Sequence, residues 1–207
     1  MPGIGEDIKE VLEELGTTIT ITRPDGTTFI EKGDLVDYPT SSTEFIRQFF
    51  STLTLVYDTR VIAGDIFKAV NKYYLVINST PSSFEDELVD FTVSVYRCNV
   101  HGRIKRLTET RDPVTKLTIP VWSEVGNAVR ALQHESRLGN ELVLEENLVG
   151  LSMFQHSLYL PSYMDIQIGD RWYPMESSDT EYYRIYGIDK KRLESVFVCG
   201  LKEDTRP

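Results

Sequence analysis

One block of this chain is written twice. Leu53-Thr54-Leu55, leading through Val61-Ile62-Ala63-Gly64-Asp65-Ile66-Phe67, returns as Leu158-Tyr159-Leu160, leading through Ile166-Gln167-Ile168-Gly169-Asp170-Arg171-Trp172, at a constant offset of 105 residues. After a longer turn in the second copy, Tyr73-Tyr74-Leu75-Val76-Ile77 is answered by Tyr182-Tyr183-Arg184-Ile185-Tyr186. Each copy closes on a segment ending in cysteine, Val95-Tyr96-Arg97-Cys98 and Val196-Phe197-Val198-Cys199. Such a repeat restricts the chain to architectures built twice from one supersecondary unit. The shared order has a physical reading. An apolar-alternating approach meets Gly-Asp, where glycine supplies the backbone freedom of a tight turn and aspartate caps it with its own carboxylate. A strand bearing an aromatic follows, then a hairpin into the Tyr-Tyr strand, then a last strand. This predicts a mainly β protein with two small β-barrels or sandwiches in tandem, each about 80 to 100 residues.

The flanking segments agree. Ile8, Val11, Leu12 and Leu15 fall on one face of a short helix over Asp7 to Leu15, with Glu6 and Asp7 in its first turn and Gly16 where a helix stops. Thr18 to Arg23 then alternates strictly, and Pro24-Asp25-Gly26 turns the chain before Thr27-Thr28-Phe29-Ile30 resumes, which spells a β-hairpin. Further strands are expected at Leu53 to Tyr57, Ile66 to Ala69, Tyr73 to Asn78, Phe91 to Cys98, Lys105 to Thr108, Leu117 to Trp122, Ser157 to Leu160, Tyr182 to Tyr186 and Ser195 to Cys199. Two stretches show helical spacing instead: Ile46, Phe49, Phe50 and Leu53 after Ser41, Ser42 and Thr43, and Val125, Ala128, Val129 and Leu132 after Ser123. Short apolar runs satisfy helix and strand templates alike. The expected division is a helical segment 1–17, a first barrel 18–100 and a second barrel 101–207.

In this order the motifs resemble those of tailed-phage head-closure proteins, the stopper or neck proteins of the head-to-tail junction. The resemblance is carried by Leu15-Gly16-Thr17 to Arg23, Ile168-Gly169-Asp170-Arg171-Trp172, Tyr183-Arg184-Ile185 and Val196 to Leu201. It implies small β-barrel subunits assembling as a homo-oligomeric ring of six or twelve copies below the portal and adaptor. Such a ring holds packaged double-stranded DNA and receives the tail. It implies a virion protein made in the host cytoplasm, without a cofactor. Proteins of this kind usually carry one such barrel, whereas this chain reads as two.

Charge narrows the alternatives. The chain has 22 basic and 32 acidic residues in 207, a net charge of -10. Gripping nucleic acid over the whole surface needs the opposite balance, because phosphate binding is driven by neutralising positive charge. No stretch approaches the ~20 apolar residues of a membrane-spanning helix, and the N-terminus lacks the basic and apolar regions of a signal peptide. Two cysteines do not make a disulfide scaffold, so a soluble protein of a reducing compartment is expected.

Candidate chemistry is sparse, and no enzyme is expected. Cys98 and His101 have a C-x-x-H spacing that, with Cys199 and a second histidine, has the donors of a tetrahedral zinc site. Repeat-equivalent cysteines at strand ends read better as small buried side chains. Gly102-Arg103-Ile104-Lys105 has the wrong spacing for a P-loop and precedes a strand, and G-x-G-x-x-G, G-x-S-x-G and H-E-x-x-H are absent. Tyr74, Tyr183 and Trp172 are the natural liners of a ligand- or glycan-binding barrel, an alternative class of function, although their repeat equivalence suggests barrel core. A tail or baseplate component of the same virion is a further alternative.

One charge feature stands apart. Arg103, Lys105, Arg106, Arg111 and Lys116 gather in a hairpin with Arg111-Asp112-Pro113 at its tip, against Glu109 and Asp112 alone. In an acidic protein this hairpin reads as a loop facing DNA in a ring lumen, or as one docking an acidic neighbour, and otherwise as a solvated surface hairpin. The amphipathic helix, with Ile8, Val11, Leu12 and Leu15, is the second docking candidate. A helix this short needs a surface to pack on, its own barrel or a neighbouring subunit.

Overall fold

The computed structural model describes residues 3–37, 48–112, 115–135, 156–175 and 182–206. The elements are α1 (Ile4–Leu15), β1 (Thr17–Thr22), β2 (Thr28–Asp37), β3 (Phe50–Val56), β4 (Ile66–Ala69), β5 (Lys72–Phe84) and β6 (Glu87–Arg97). There follow β7 (Val100–Arg111), β8 (Thr118–Glu135), β9 (His156–Pro161), β10 (Arg171–Pro174), β11 (Tyr183–Leu193) and β12 (Val196–Glu203). The strands form two closed six-stranded barrels, ordered β1-β2-β3-β6-β5-β4 and β10-β11-β12-β9-β8-β7. Read backwards, the second order is the first with every strand number raised by six, so the two barrels share one topology. Closure leaves neither sheet with an open edge.

The alternation of β1 shows how the sequence achieves this. Thr18, Thr20 and Thr22 face outward while Ile19 and Ile21 are fully buried, joining Leu53, Leu55, Phe67, Tyr74, Val76, Val93 and Val95 in the first core. The second core collects Ile104, Val129, Ala131, Leu158, Leu160, Trp172, Ile185, Cys199 and Leu201. Barrel closure is equivalent in the two: Ile21 pairs with Phe67 across β1–β4, and Ile104 with Trp172 across β7–β10. The larger Trp172 is admitted by Gly102, where a Cβ would stand 2.6 Å from the indole.

The unit containing α1 and β1–β6 takes in residues 1–99, together with Pro161–Tyr163 and Leu193–Val196; the remaining residues form the second. Strand β7 therefore opens the second barrel at Val100. The helix runs three residues further toward the N-terminus than its apolar spacing predicts and belongs with the first barrel, against β2, β3 and β6. No helix among the described residues is long and apolar enough to cross a membrane.

Both additional helices need correction. Of the first, Ser41, Ser42, Thr43 and Ile46 lie outside the described residues, but Phe50 and Leu53 belong to β3. The second is strand β8 throughout. Gly126 opposes Ile104 and Val129 opposes Gly102, so three steps on β8 match two on β7, and another extra residue falls between Glu124 and Gly126. Ala128 takes a left-handed conformation at φ 52° inside this irregularity. The bulges break the two-residue alternation, so Val125 and Val129, four apart, both pack against the second core and Leu132 is buried three further on, a spacing that imitates a helix, while Ala128 is exposed.

Candidate interaction surfaces

Each Gly-Asp turn is the centre of a latch. In the first barrel, Arg23, just past β1, donates from Nε to Asp65 Oδ1 (2.9 Å) and from Nη2 to Asp65 Oδ2 (2.8 Å) and the Arg60 carbonyl (2.6 Å). In the second, Arg106 of β7 donates to Asp170 Oδ1 (2.9 Å), Asp170 Oδ2 (3.0 Å) and the Asp165 carbonyl (2.6 Å). Each aspartate also accepts the backbone N–H three residues before it, from Ile62 and from Gln167. Gly64 and Gly169 carry the turns at φ 90° and 101°, a region that suits glycine. Their N–H groups donate to the Val76 and Ile185 carbonyls. The latch thus ties the first strand of each barrel to the turn before the fourth and to the fifth. Pairing with the aspartates raises the affinity of both guanidinium groups for their protons.

This assigns Arg106 to the barrel frame. Three of its nitrogens are taken by Asp170 and Asp165, so it is not one of the hairpin's outward charges. The equivalence of Arg106 with Arg23 is visible in the sequence as Ile-x-Arg at an offset of 83, Ile21-Thr22-Arg23 against Ile104-Lys105-Arg106. A search at the offset of 105 misses it, because the second copy is longer between these arginines and the next shared block.

The other hairpin residues divide between barrel and arm. Arg103 and Lys105 lie where β7 pairs with β10, opposite Tyr173 and Arg171, and the Lys105 ammonium stands over the Tyr173 ring. Beyond them β7 and β8 continue as a two-stranded arm, with Leu107 opposite Trp122 and Arg111 opposite Thr118. Near its tip the Arg111 Nε donates to the Lys116 carbonyl. Leu107, Leu117, Ile119 and Val121 are all exposed on this arm. A two-stranded ribbon gains little stability by itself in water, so this arm shows apolar surface on an element without a core of its own.

The helix shows a second such surface. Only Leu12 among its side chains is buried, and Ile8 is half-buried. Side-chain anchors hold it in place: Lys9 pairs with Asp58 (2.8 Å), the Tyr57 hydroxyl donates to Glu6, and Lys32 donates to the Glu13 carbonyl. Val11 and Leu15 remain in solvent.

The remaining candidates resolve into core. Trp172 and Tyr74 are fully buried and Tyr183 is nearly so, so the three aromatics proposed as ligand liners fill the barrels. Cys199 is buried in the second core, which pushes its thiol up to about 12, and Cys98 is half-buried just beyond β6. Among the described residues no three His, Cys, Asp or Glu side chains are grouped to hold a metal ion.

No known family model and no curated protein sequence matches this chain.

Sequence patterning missed one feature altogether. Arg171, on β10, is buried and donates from Nε to Asp204 (2.6 Å), and from Nη2 to the Arg206 carbonyl (2.6 Å). Its guanidinium lies 4.0 Å from the Trp122 ring centre, and that of Arg206 5.4 Å. Burial opposes ionisation of Asp204, but hydrogen bonds from Arg206 and Arg171 outweigh it and hold the carboxyl well below the usual range. This C-terminal clasp has no counterpart in the first copy, where Ile66 stands in place of Arg171. A repeat search therefore gives no signal for it.

Proposed function

We propose that this chain is a structural ring component of a tailed-phage neck, closing the DNA exit channel below the portal and docking the tail, without catalysis. The observation that carries the reading is the duplicated latch. The motifs on which the resemblance rests, an alternating strand running into arginine and a Gly-Asp turn before an aromatic strand, are the same residues that close each barrel. In this reading the partners are further copies of the chain, the portal or adaptor and the tail, while double-stranded DNA passes through. An acidic wall suits a conduit, since it repels phosphate and lets DNA slide.

Mass spectrometry of purified particles tests the assignment. The chain is expected in virions and in tailless full heads at a fixed ratio to the portal protein. Its absence from both would overturn the reading. Its presence only in isolated tails would favour a tail or baseplate component. Charge reversal of Arg103, Lys105, Arg111 and Lys116 then separates the two roles of the hairpin. Heads that leak genome indicate contact with phosphate in the lumen, and stable full heads that acquire no tail indicate protein docking, which we favour.

A further inference from the structure

The duplicated frame shows what the second copy has gained. In the first barrel, Arg23 is followed by the turn Pro24-Asp25-Gly26, and its N–H donates to the Thr27 carbonyl on the way back into β2. In the second, the equivalent Arg106 is followed by the arm, Leu107 to Trp122, before Ser123 stands opposite it. The arm is therefore an insertion into a shared hairpin, and Trp122 is its last residue.

This closing residue lies against the clasp. The guanidinium groups of Arg171 and Arg206 stand 4.0 Å and 5.4 Å from the Trp122 ring centre. Both are fixed in place. Arg171 donates from Nε to Asp204, and Arg206 forks onto the same carboxylate, from Nε to Oδ1 (2.8 Å) and from Nη2 to Oδ2 (2.7 Å). Nη2 of Arg206 also donates to the Gly169 carbonyl (3.0 Å), in the turn whose Asp170 holds Arg106. The arm is thus anchored on β7 through Arg106 and on β8 through Trp122, and Arg206 joins the two anchors.

We infer that the clasp is a brace for the inserted arm: the segment Asp204 to Arg206, locked by Arg171, holds Trp122 and so fixes the ribbon on its barrel. Arm and clasp occur together in the second copy. Among the described residues the first copy has neither, since a three-residue turn replaces the arm and Ile66 occupies the place of Arg171. The barrel frame does not itself require a buried ion pair at this position, because the first barrel closes with Ile66 there. The ribbon does require support, being marginal as two strands alone, and cations held over a half-buried indole supply it. The brace operates whether or not the chain assembles as a ring.

Amide hydrogen exchange of the full chain, resolved along the sequence, tests this. Arg206 is the residue to change, because Asp204 then still pairs with the buried Arg171 and no charge is stranded. Arg206→Ala is expected to speed exchange in the arm, 107–111 and 115–121, about tenfold, while β9 and β1 keep their wild-type rates. Trp122→Ala is expected to do the same from the arm's side. In that background Arg206→Ala is expected to add almost nothing, the signature of two residues acting through one contact. Arg206→Lys, which keeps the charge without the planar fork, is expected to fall between wild type and Arg206→Ala. Arm exchange unmoved by Arg206→Ala, or additive effects of the two alanine substitutions, would overturn the inference. So would an equal rise in β9, which would show that the clasp supports the second barrel as a whole.

Discussion

Asp65 and Asp170 each hold an arginine fork and a backbone N–H from one buried carboxylate, so neither can be exchanged for its amide without stranding a donor. Asp170→Asn is expected to cost about 3 kcal/mol, read by tryptophan fluorescence in denaturant because both tryptophans belong to the second barrel. Asp65→Asn is expected to destabilise the first barrel similarly while leaving that signal nearly unmoved. Equal effects of both variants on tryptophan unfolding would show that the barrels do not unfold separately. Asp204 supplies a pH dependence. Its folded value is depressed, so its stabilisation is complete above the unfolded carboxylate value of about 4. It is lost as pH falls toward the lower folded value. The wild-type second barrel should therefore weaken steeply with acid below about pH 4, and Asp204→Asn should flatten that slope while lowering stability at neutral pH. A slope unchanged by the substitution would assign the acid sensitivity to other carboxylates.

At the scale of elements, the helix is the piece whose removal separates folding from assembly. Twelve residues make a marginal helix in water, and α1 is held by Leu12, the Lys9–Asp58 pair and the Tyr57–Glu6 bond against a barrel that closes without it. Deletion of residues 1–16 is expected to leave both barrels folded, with the thermal transitions followed by circular dichroism within about 2 °C of wild type, a fraction of the shift 1 kcal/mol produces. The same deletion is expected to abolish self-association and incorporation into particles. A truncated chain that assembles normally would show that the helix is packing alone. Regular elements were legible because their periods were clean: the threonine–isoleucine alternation of β1 and the apolar stripe of α1 needed no tertiary information. Strand β8 was not, since its bulges and the left-handed Ala128 scrambled the period that identifies a strand. The latches were half legible. The Gly-Asp turns announced themselves, but the reach of Arg106 to Asp170 across 64 residues is a product of barrel closure that no local pattern contains.

Across the whole molecule, the two barrels have kept one interior and acquired two exteriors. Strand order, latch and the Phe67/Trp172 position are shared, whereas among the described residues only the first barrel bears a helix and only the second has the clasp, and their halves of the chain differ by six charges. The distinction bears on symmetry. In the proposed neck reading, the ring would join a twelve-fold portal to a six-fold tail. Six copies of a duplicated barrel present twelve similar barrels, so one chain can in principle meet both symmetries. That economy requires the two barrels to look alike from outside, because a partner binds surfaces and not cores. Here the shared core residues are buried, whereas the helix and the differing charges lie outside, so a twelve-fold partner would meet two alternating surfaces. Twelve chains, each offering both barrels to different neighbours, fit this distribution better. A count of chains per ring, from the symmetry of the neck in intact particles or from native mass of the assembled ring, is expected to give twelve. Six would show that neighbours read the shared frame of the barrels despite their outer differences.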